Sequence, residues 1–344
     1  MTDQLYDQCL RAVALWEPCA TGTQADLNAA FFMVRVAAER FDIDLSWTMF
    51  RRAYQFAEQT GLCRVDQDTS LDDPDPDYSV LDAARKCFWE LICMDLYFHL
   101  LHNKPLLMQT HWSCARVNLP WLAESGSQEK ADSVTTIRFL LDSRRTFILM
   151  KFWTLLQDAK SRPDPELLPK IDALCNEIEA LYEQWSTLTR PRKDGLVNSL
   201  INSGGQLWTT AGLALEGYAC ILSMLRHTVN VASTWGDWDS PNGETRQFDI
   251  DIFPRALSTS RRMAEAVGSL LETLPSSSTV AVTFTVFQAH VACAYLAANL
   301  EGTTLPANER SNDAVLLERV ARYLDPIAAE YEEITPLSAL LRVL

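Results

Sequence analysis

Several motifs that would identify an activity are missing from this sequence. Its nine cysteines are scattered through 344 residues without a C-x-x-C pair, so the usual spacing of a structural zinc site is absent. The sequence also contains no G-x-G-x-x-G, P-loop or G-x-S-x-G pattern. It therefore gives no motif support for dinucleotide binding, P-loop nucleotide hydrolysis or serine-hydrolase catalysis.

Basic residues are scarce as well. The net charge is −15, only seven lysines occur, and none follows Lys193. A protein that binds the phosphates of DNA or RNA needs a basic face. We therefore expect no direct nucleic-acid binding by this chain.

The chain shows no targeting or membrane signal. Its first residues lack a basic segment followed by an apolar run, and no apolar run approaches the roughly 18 residues of a membrane span. Together with the odd cysteine count, this predicts a soluble, intracellular protein with reduced and mostly buried thiols, and no membrane association.

What the sequence does contain is helical periodicity over nearly its whole length. Hydrophobic residues make up 48% of the chain, and apolar positions recur at helix spacing. Residues 25–61 predict a helical hairpin, with Ser46 as N-cap of its second helix and Gly61 just beyond that helix's end. We expect an all-α fold in a single multi-helix domain over residues 1–344.

Two later segments are harder to assign. Residues 278–301 are β-branched in their first half, but their length and their alanine-rich second half favour one buried helix. Residues 233–251 are rich in Gly, Asp, Asn and Pro and predict a loop before a helix at 253–274.

The segment at residues 85–105, RKCFWELICMDLYFHLLHNKP, resembles the signature of the fungal-specific transcription factor domain, the middle homology region of fungal zinc-cluster regulators. Lys104 stands where that family usually has Arg, and Asn103 where it usually has Gly. The matching residues are Arg85, Lys86, Phe88, Trp89, Asp95, Leu100, Leu101 and Pro105.

Two flanking segments resemble the same family. Downstream, Val117–Pro120 is similar to its Asp-Val-x-Leu-Pro turn. Upstream, Cys63 replaces the family's His within an otherwise similar pattern. The matching upstream residues are Trp47, Ala53, Ala57, Gly61, Leu62 and Arg64. The resemblance covers roughly residues 5–300.

The resemblance implies an all-α regulatory domain of fungal secondary metabolism that responds to a small apolar ligand or a protein partner and acts alone or as a homodimer or heterodimer. It implies nuclear localisation and no cofactor. Because this sequence lacks the family's six-cysteine zinc cluster, such a regulator would act without reading DNA itself.

A second interpretation is an enzyme. The same family scaffold also serves as a noncanonical terpene cyclase that requires Mg²⁺ and would be cytoplasmic. In that alternative, an acidic run would bind the metal ion, and three arginines would bind the diphosphate of a prenyl substrate. The acids are Asp72, Asp73, Asp75 and Asp77, and the arginines are Arg226, Arg261 and Arg262. Two prolines interrupt the acidic run, which favours a solvated loop.

Asp95 is an acid inside an apolar helix. A buried carboxylate needs a partner, and Arg85 and Lys86 lie nearly three turns away on the same helix. We therefore expect an ion pair with a neighbouring helix, through Arg51 or Arg52. His99 and His102 share one helix face, but a packed and a surface histidine are favoured over a metal site, and His290 is expected to be a core residue.

Overall fold

The computed structural model describes residues 3–40, 42–66, 78–109, 117–120, 132–189, 204–235, 244–301 and 307–328, together with residues 335, 338, 339 and 341. Throughout this part of the chain the regular structure is helical, which confirms the predicted all-α fold. The α-helices are α1 (Asp3–Trp16), α2 (Gln24–Ala38), α3 (Ile43–Gln59), α4 (Tyr78–His102), α5 (Asp132–Ser161), α6 (Leu167–Thr189), α7 (Gly204–Trp235), α8 (Glu244–Thr273), α9 (Ser277–Thr285), α10 (Ala289–Glu301) and α11 (Ala307–Ala328).

The chain divides into two compact units, Met1–Leu149 (unit 1) and Met150–Leu344 (unit 2), and the division falls within α5. The expectation of a single domain over 1–344 stays a prediction.

The predicted helical hairpin of unit 1 is present as α2 and α3. Thr23 caps α2 in a capping box with Asp26. The end of α3 is also as expected, since Gly61 follows the C-cap with a φ of +73°, a conformation that glycine adopts without steric cost. The hairpin packs on α4 through the rings of Trp47, Phe50 and Phe98.

The predicted N-cap of α3 is wrong. Asp42, not Ser46, caps this helix by accepting a hydrogen bond from the Leu45 N–H at 2.9 Å. Ser46 lies one turn inside the helix and is buried, and its hydroxyl donates to the Val34 carbonyl of α2 at 2.7 Å. This serine therefore joins the two helices of the hairpin instead of starting the second one.

Helix α8 is the centre of unit 2, where it packs against α7, α10 and α11. It begins at Glu244, and α7 ends at Trp235, so the loop predicted at 233–251 is wrong at 233–235 and 244–251, which are helical, while residues 236–243 lie outside the described residues. At its packed face, Arg261 donates to the fully buried Asp313 of α11 from Nε at 2.6 Å and from Nη2 at 3.1 Å. Asn299 of α10 donates to the same carboxylate at 2.5 Å. One buried acid thus connects three helices.

The prediction of one helix over 278–301 is also wrong. Two helices, α9 and α10, meet at a 73° bend, and Gln288 at the break has a φ of +50°. The Phe284 carbonyl accepts a hydrogen bond from Nδ1 of His290 at 3.2 Å. A side-chain donor therefore satisfies a carbonyl near the point where the helix stops.

Among the described residues, no single helix has both the length and the hydrophobicity to cross a membrane. Within the same described ranges, the bent pair of α9 and α10, taken together, reaches that length and composition.

The packing of α6 on α7 leads to a testable prediction about two glycines of α7. A Cβ atom on Gly217 would lie 2.0 Å from Cε2 of Tyr182, whereas a Cβ on Gly212 would lie 3.7 Å from Cζ of Phe287. We expect Gly217→Ala to lower the free energy of unfolding by about 1–3 kcal/mol, because the Tyr182 ring must move. Gly212→Ala, the matched control, is expected to be neutral or to stabilise by up to about 1 kcal/mol.

Urea unfolding followed by circular dichroism measures both variants. Equal effects of the two substitutions would show that Tyr182 does not limit the approach of α7. The double variant Gly217→Ala with Tyr182→Leu is expected to recover part of the lost stability.

Candidate functional site

The basic residue that opens the α4 motif is a buried anchor. Arg85 donates to Oδ1 of Asp66 from Nε at 2.9 Å and from Nη2 at 2.6 Å, and it lies 3.4 Å from Asp82. The side chains of Arg85 and Asp66 are only 9% and 8% exposed. In this low-dielectric setting each charge depends on the other for solvation.

Asp66 and Trp89 both extend this contact to a third segment. Oδ2 of Asp66 accepts a hydrogen bond from the Asn118 N–H at 2.5 Å, and the Asn118 carbonyl accepts one from Nε1 of Trp89 at 3.1 Å. We call Asp66, Arg85, Trp89 and Asn118 the Arg85 cluster. The cluster connects the turn after α3, helix α4 and the segment 117–120.

The Arg85 cluster therefore brings together the three segments that resemble the fungal domain. Trp47 and Leu62 of the first segment are buried, and Trp47 packs against Phe98 of the second. Asn118 belongs to the third. Segments separated in sequence by up to 52 residues are thus directly bonded to one another.

Asp95 has a different partner from the one predicted. Its carboxylate is 1% exposed and accepts hydrogen bonds from the N–H of Leu107 at 3.0 Å and from the N–H of Met108 at 2.8 Å. Arg52 instead pairs with Glu17 at 2.9 Å, and Arg51 is exposed. The expected ion pair is wrong because the chain returns past α4 and offers backbone donors.

Burial raises the pKa of Asp95 to about 6, while the hydrogen bonds from Leu107 and Met108 act in the opposite direction. Desolvation disfavours the charged form of a carboxyl group, and donors to the carboxylate favour it. Burial is the larger effect here, so the group titrates well above its usual range.

The turn after α4 is held by further side chains. Asn103 has a φ of +52°, a left-handed conformation that Asn tolerates better than most residues other than Gly. Nδ1 of His99 lies 2.7 Å from the Lys104 carbonyl, and Nζ of Lys104 lies 2.9 Å from Asp44. His102 contacts the Tyr97 hydroxyl at 3.1 Å. Both histidines therefore have partners within the protein.

The remaining motif residues divide between core and surface. Phe88 is fully buried, and Pro105 is exposed. Lys86 is 38% exposed, 4.0 Å from Glu90, with its ammonium group 5.9 Å from the centre of the Phe139 ring. The basic pair at 85 and 86 thus contains one buried anchor and one surface charge.

The residues of the enzyme alternative are engaged elsewhere or lie outside the described residues. Arg261 is bound to Asp313, and Arg262 pairs with Glu179 at 3.2 Å. The acids of the alternative, Asp72, Asp73, Asp75 and Asp77, fall in the range 67–77, which lies outside the described residues.

The prediction that His290 is a core residue is wrong, since His290 is exposed at the break between α9 and α10. Partial desolvation of its imidazole still lowers its pKa, the hydrogen bond to the Phe284 carbonyl acts in the opposite direction, and the charge of Arg226 lowers the pKa further.

The described part of the chain holds no cluster of metal ligands, and three of its cysteines are buried. There, no group of three or more His, Cys, Asp or Glu side chains is placed to hold a metal ion. Cys63, Cys175 and Cys293 are buried, and burial raises their pKa to about 11, 12 and 12. Thiols in this state are poor nucleophiles. Cys19, by contrast, is exposed.

Sequence reasoning missed two members of the cluster, Asp66 and Asn118. Asp66 lies in an acidic stretch that reads as loop, and Asn118 contributes through its backbone. The sequence does contain a weak indication of the Arg85–Asp66 pair, because Asp66 is the first acid after the α3 motif and Arg85 is the first base of the next helix.

Comparison with known protein families, curated proteins and solved structures gives no match to this chain.

The Arg85–Asp66 pair gives a second prediction. Arg85→Leu is expected to lower the free energy of unfolding by about 3–5 kcal/mol, because it leaves the Asp66 charge buried without its main counter-charge. The neighbouring substitution Lys86→Leu, which removes an equal charge from the surface, is expected to change it by less than about 1 kcal/mol. Chemical unfolding of both variants tests this contrast.

The double variant Arg85→Leu with Asp66→Leu is expected to be more stable than Arg85→Leu alone. Similar losses for Arg85→Leu and Lys86→Leu would contradict the assignment of Arg85 as the anchor.

The raised pKa of Asp95 gives a third prediction. The folded protein holds this proton up to about pH 6, while the unfolded chain releases it near 3.8. Stability from this group is therefore fully present below pH 3.8 and is lost as the pH rises through 6, a change of about 3 kcal/mol. Asp95→Asn is expected to remove this slope.

Asp26 provides a control of opposite sign. Donors from Thr23 and Trp16 lower its pKa to about 2, so its contribution is present above pH 3.8 and is lost as the pH falls toward 2. The free energy of unfolding is measured from pH 3 to 7. It should still fall with rising pH in Asp26→Asn, whereas this fall should disappear in Asp95→Asn. An unchanged slope in Asp95→Asn would contradict the role given to Asp95.

Proposed function

We propose that this chain is a regulatory domain of the fungal transcription factor type, acting in the nucleus in the control of secondary metabolism. The observation that supports this most is the Arg85 cluster. Three separate sequence segments carry the resemblance to that domain, and in the structure they bond to one another through Asp66, Arg85, Trp89 and Asn118. Residues that recur together as a family signature are expected to share such a structural purpose.

The state of the buried charges also favours a regulator over an enzyme. Asp26, Asp95 and Asp313 are buried, and each accepts hydrogen bonds from protein donors. A general acid or base needs access to a reacting group. These three carboxylates instead join helices and turns. In the proposed function, regulation follows from binding of an apolar ligand or a protein partner.

In this proposal DNA at the target genes is bound by groups outside residues 1–344, which supply neither a zinc cluster nor a basic face, and a partner that binds DNA is one source of such groups. A heterodimer with such a partner, or recruitment to one already bound at a promoter, would place the domain there. No cofactor is required.

Tethering tests the proposal. The chain is fused to an unrelated DNA-binding domain and expressed in a fungal host with a reporter gene that carries the matching operator. We expect a severalfold change in reporter transcription relative to the DNA-binding domain alone. Arg85→Leu is expected to abolish the change, while Lys86→Leu keeps it, because only the first substitution removes a buried anchor.

An unchanged reporter, with the fusion present in the nucleus, would overturn the proposal. The purified chain is then incubated with Mg²⁺ and geranyl, farnesyl or geranylgeranyl diphosphate. Release of diphosphate that depends on Asp72, Asp73, Asp75 and Asp77 would establish the terpene cyclase alternative in its place.

A further inference from the structure

Helix α1 buries much less of its surface than the two helices of the α2–α3 hairpin. From residue 4 to residue 16 every side chain is exposed or half-buried, and Leu5 and Leu15 are 49% and 77% exposed. By contrast, eight of the 15 residues of α2 and seven of the 17 residues of α3 are buried. The stability of a helix in a protein comes mainly from burial of its apolar face. Little of this stabilisation is available to α1.

The hydrogen bonds between α1 and the hairpin lie near the two ends of α1. Near its beginning, the Tyr6 hydroxyl donates to Oδ2 of Asp42 at 3.2 Å. At its end, Nε1 of Trp16 donates to Oδ1 of Asp26 at 2.7 Å. Asp26 belongs to the first turn of α2, and Asp42 follows the end of that helix. Helix α1 therefore runs along α2 in the opposite direction and is fastened at both ends.

Both acceptors also have a role within the hairpin. Oδ1 of Asp42 caps α3 by accepting from the Leu45 N–H, while its Oδ2 accepts from α1. Oδ2 of Asp26 accepts from the N–H and the hydroxyl of Thr23 at 2.9 and 2.8 Å, while its Oδ1 accepts from α1. Each carboxylate thus uses one oxygen for the start of its own helix and the other for α1. The two caps therefore do not require α1.

The hairpin has a core of its own as well. Phe50 of α3 is fully buried and packs on Phe98 of α4, and the Ser46 hydroxyl joins α3 to α2. Trp16 of α1 is half-buried, and its ring lies 6.1 Å from that of Phe56. Loss of α1 would therefore remove few of the contacts that hold the hairpin together.

We infer that α1 is a detachable strap, which leaves the α2–α3 hairpin as one unit while the hairpin stays folded. Its departure uncovers the Phe56 ring where Trp16 packs against it, and it releases one carboxylate oxygen each on Asp26 and Asp42. The strap therefore controls access to one side of the hairpin. This inference does not rest on the proposed function, because it follows from the attachment of α1 alone.

Hydrogen–deuterium exchange of the full chain, read by mass spectrometry, tests this inference. A detached helix of 14 residues is too short to be stable in water, so each detachment opens all of its amides to exchange. We expect the amides of α1 to be at least about 100-fold less protected than those of α3. Residues 7–11 and 12–16 are expected to share one protection factor, because α1 leaves as a unit.

Variants at the two ends of α1 test whether it moves as a unit. Trp16→Phe removes the donor to Asp26. Tyr6→Phe removes the donor to Asp42. Each is expected to lower the protection of the whole of α1 about tenfold, because each removes one hydrogen bond to a carboxylate, and to leave the protection of α3 unchanged. Leu15→Ala is the matched control on the same helix, and it should leave protection unchanged because the leucine side chain is exposed.

Limited proteolysis provides a second measurement. Arg11 of α1 and Arg51 of α3 are both exposed residues on helices, so trypsin distinguishes them by how readily each helix opens. Cleavage after Arg11 is expected to be at least about tenfold faster than cleavage after Arg51, and faster still in Trp16→Phe.

Equal protection of α1 and α3, or earlier cleavage after Arg51, would show that α1 opens only together with the hairpin and would overturn the inference. Protection that changes steadily along α1, with Tyr6→Phe and Trp16→Phe each affecting only the nearer end, would show fraying instead of detachment and would also overturn it. Neither measurement uses a reporter gene, so a failure here leaves the tethering experiment unaffected.

Discussion

The buried ion pair between Arg85 and Asp66 is the contact on which unit 1 depends. A guanidinium group and a carboxylate removed from water are costly unless they are fully satisfied. Here the remaining capacity of Asp66 is used by the Asn118 N–H, and the peptide that follows is held by Trp89. The same four residues therefore neutralise the buried charges and connect three segments of the chain. An aromatic core formed by Trp47, Phe50 and Phe98 lies farther along α4.

Both units contain buried carboxylates that connect segments of the chain, but the hydrogen-bond donors to these carboxylates differ. In unit 2 the buried acid is Asp313, and its donors are the side chains of Arg261 and Asn299 on two other helices. In unit 1, Asp95 and Asp26 accept mostly from backbone N–H groups of a turn next to a helix end. A buried carboxylate can thus connect helices through side chains or secure a turn through the backbone, and this chain uses both arrangements.

The local sequence pattern was sufficient to predict the structure of those elements that a single local interaction determines. The α2–α3 hairpin follows from apolar periodicity, and the end of α3 follows from the conformational freedom of Gly61. The sequence pattern gave a wrong prediction where a residue distant in sequence competes for the same hydrogen-bonding group. Ser46 has the chemistry of an N-cap, but the Val34 carbonyl takes its hydroxyl, and Asp42 caps the helix. At the break before α10, Gln288 has a positive φ and His290 bonds the Phe284 carbonyl, and neither feature is visible in a helical pattern. The partners of Asp95 could not be predicted from the sequence either, because backbone N–H groups are present at almost every residue and leave no recognisable residue type.

The backbone hydrogen bonds to Asp95 place little constraint on the residues at positions 107 and 108. Asp95 is bound to Leu107 and Met108 through their N–H groups alone, and every amino acid except proline supplies such a group. The hydrogen bonding at 107 and 108 therefore tolerates any residue but proline, and only packing limits Met108, which is fully buried. An acid at 95 would then stay fixed across divergent relatives, while residue 107 can change and residue 108 is limited only by packing. A sequence profile would show a constant acid in an apolar helix with no matching base.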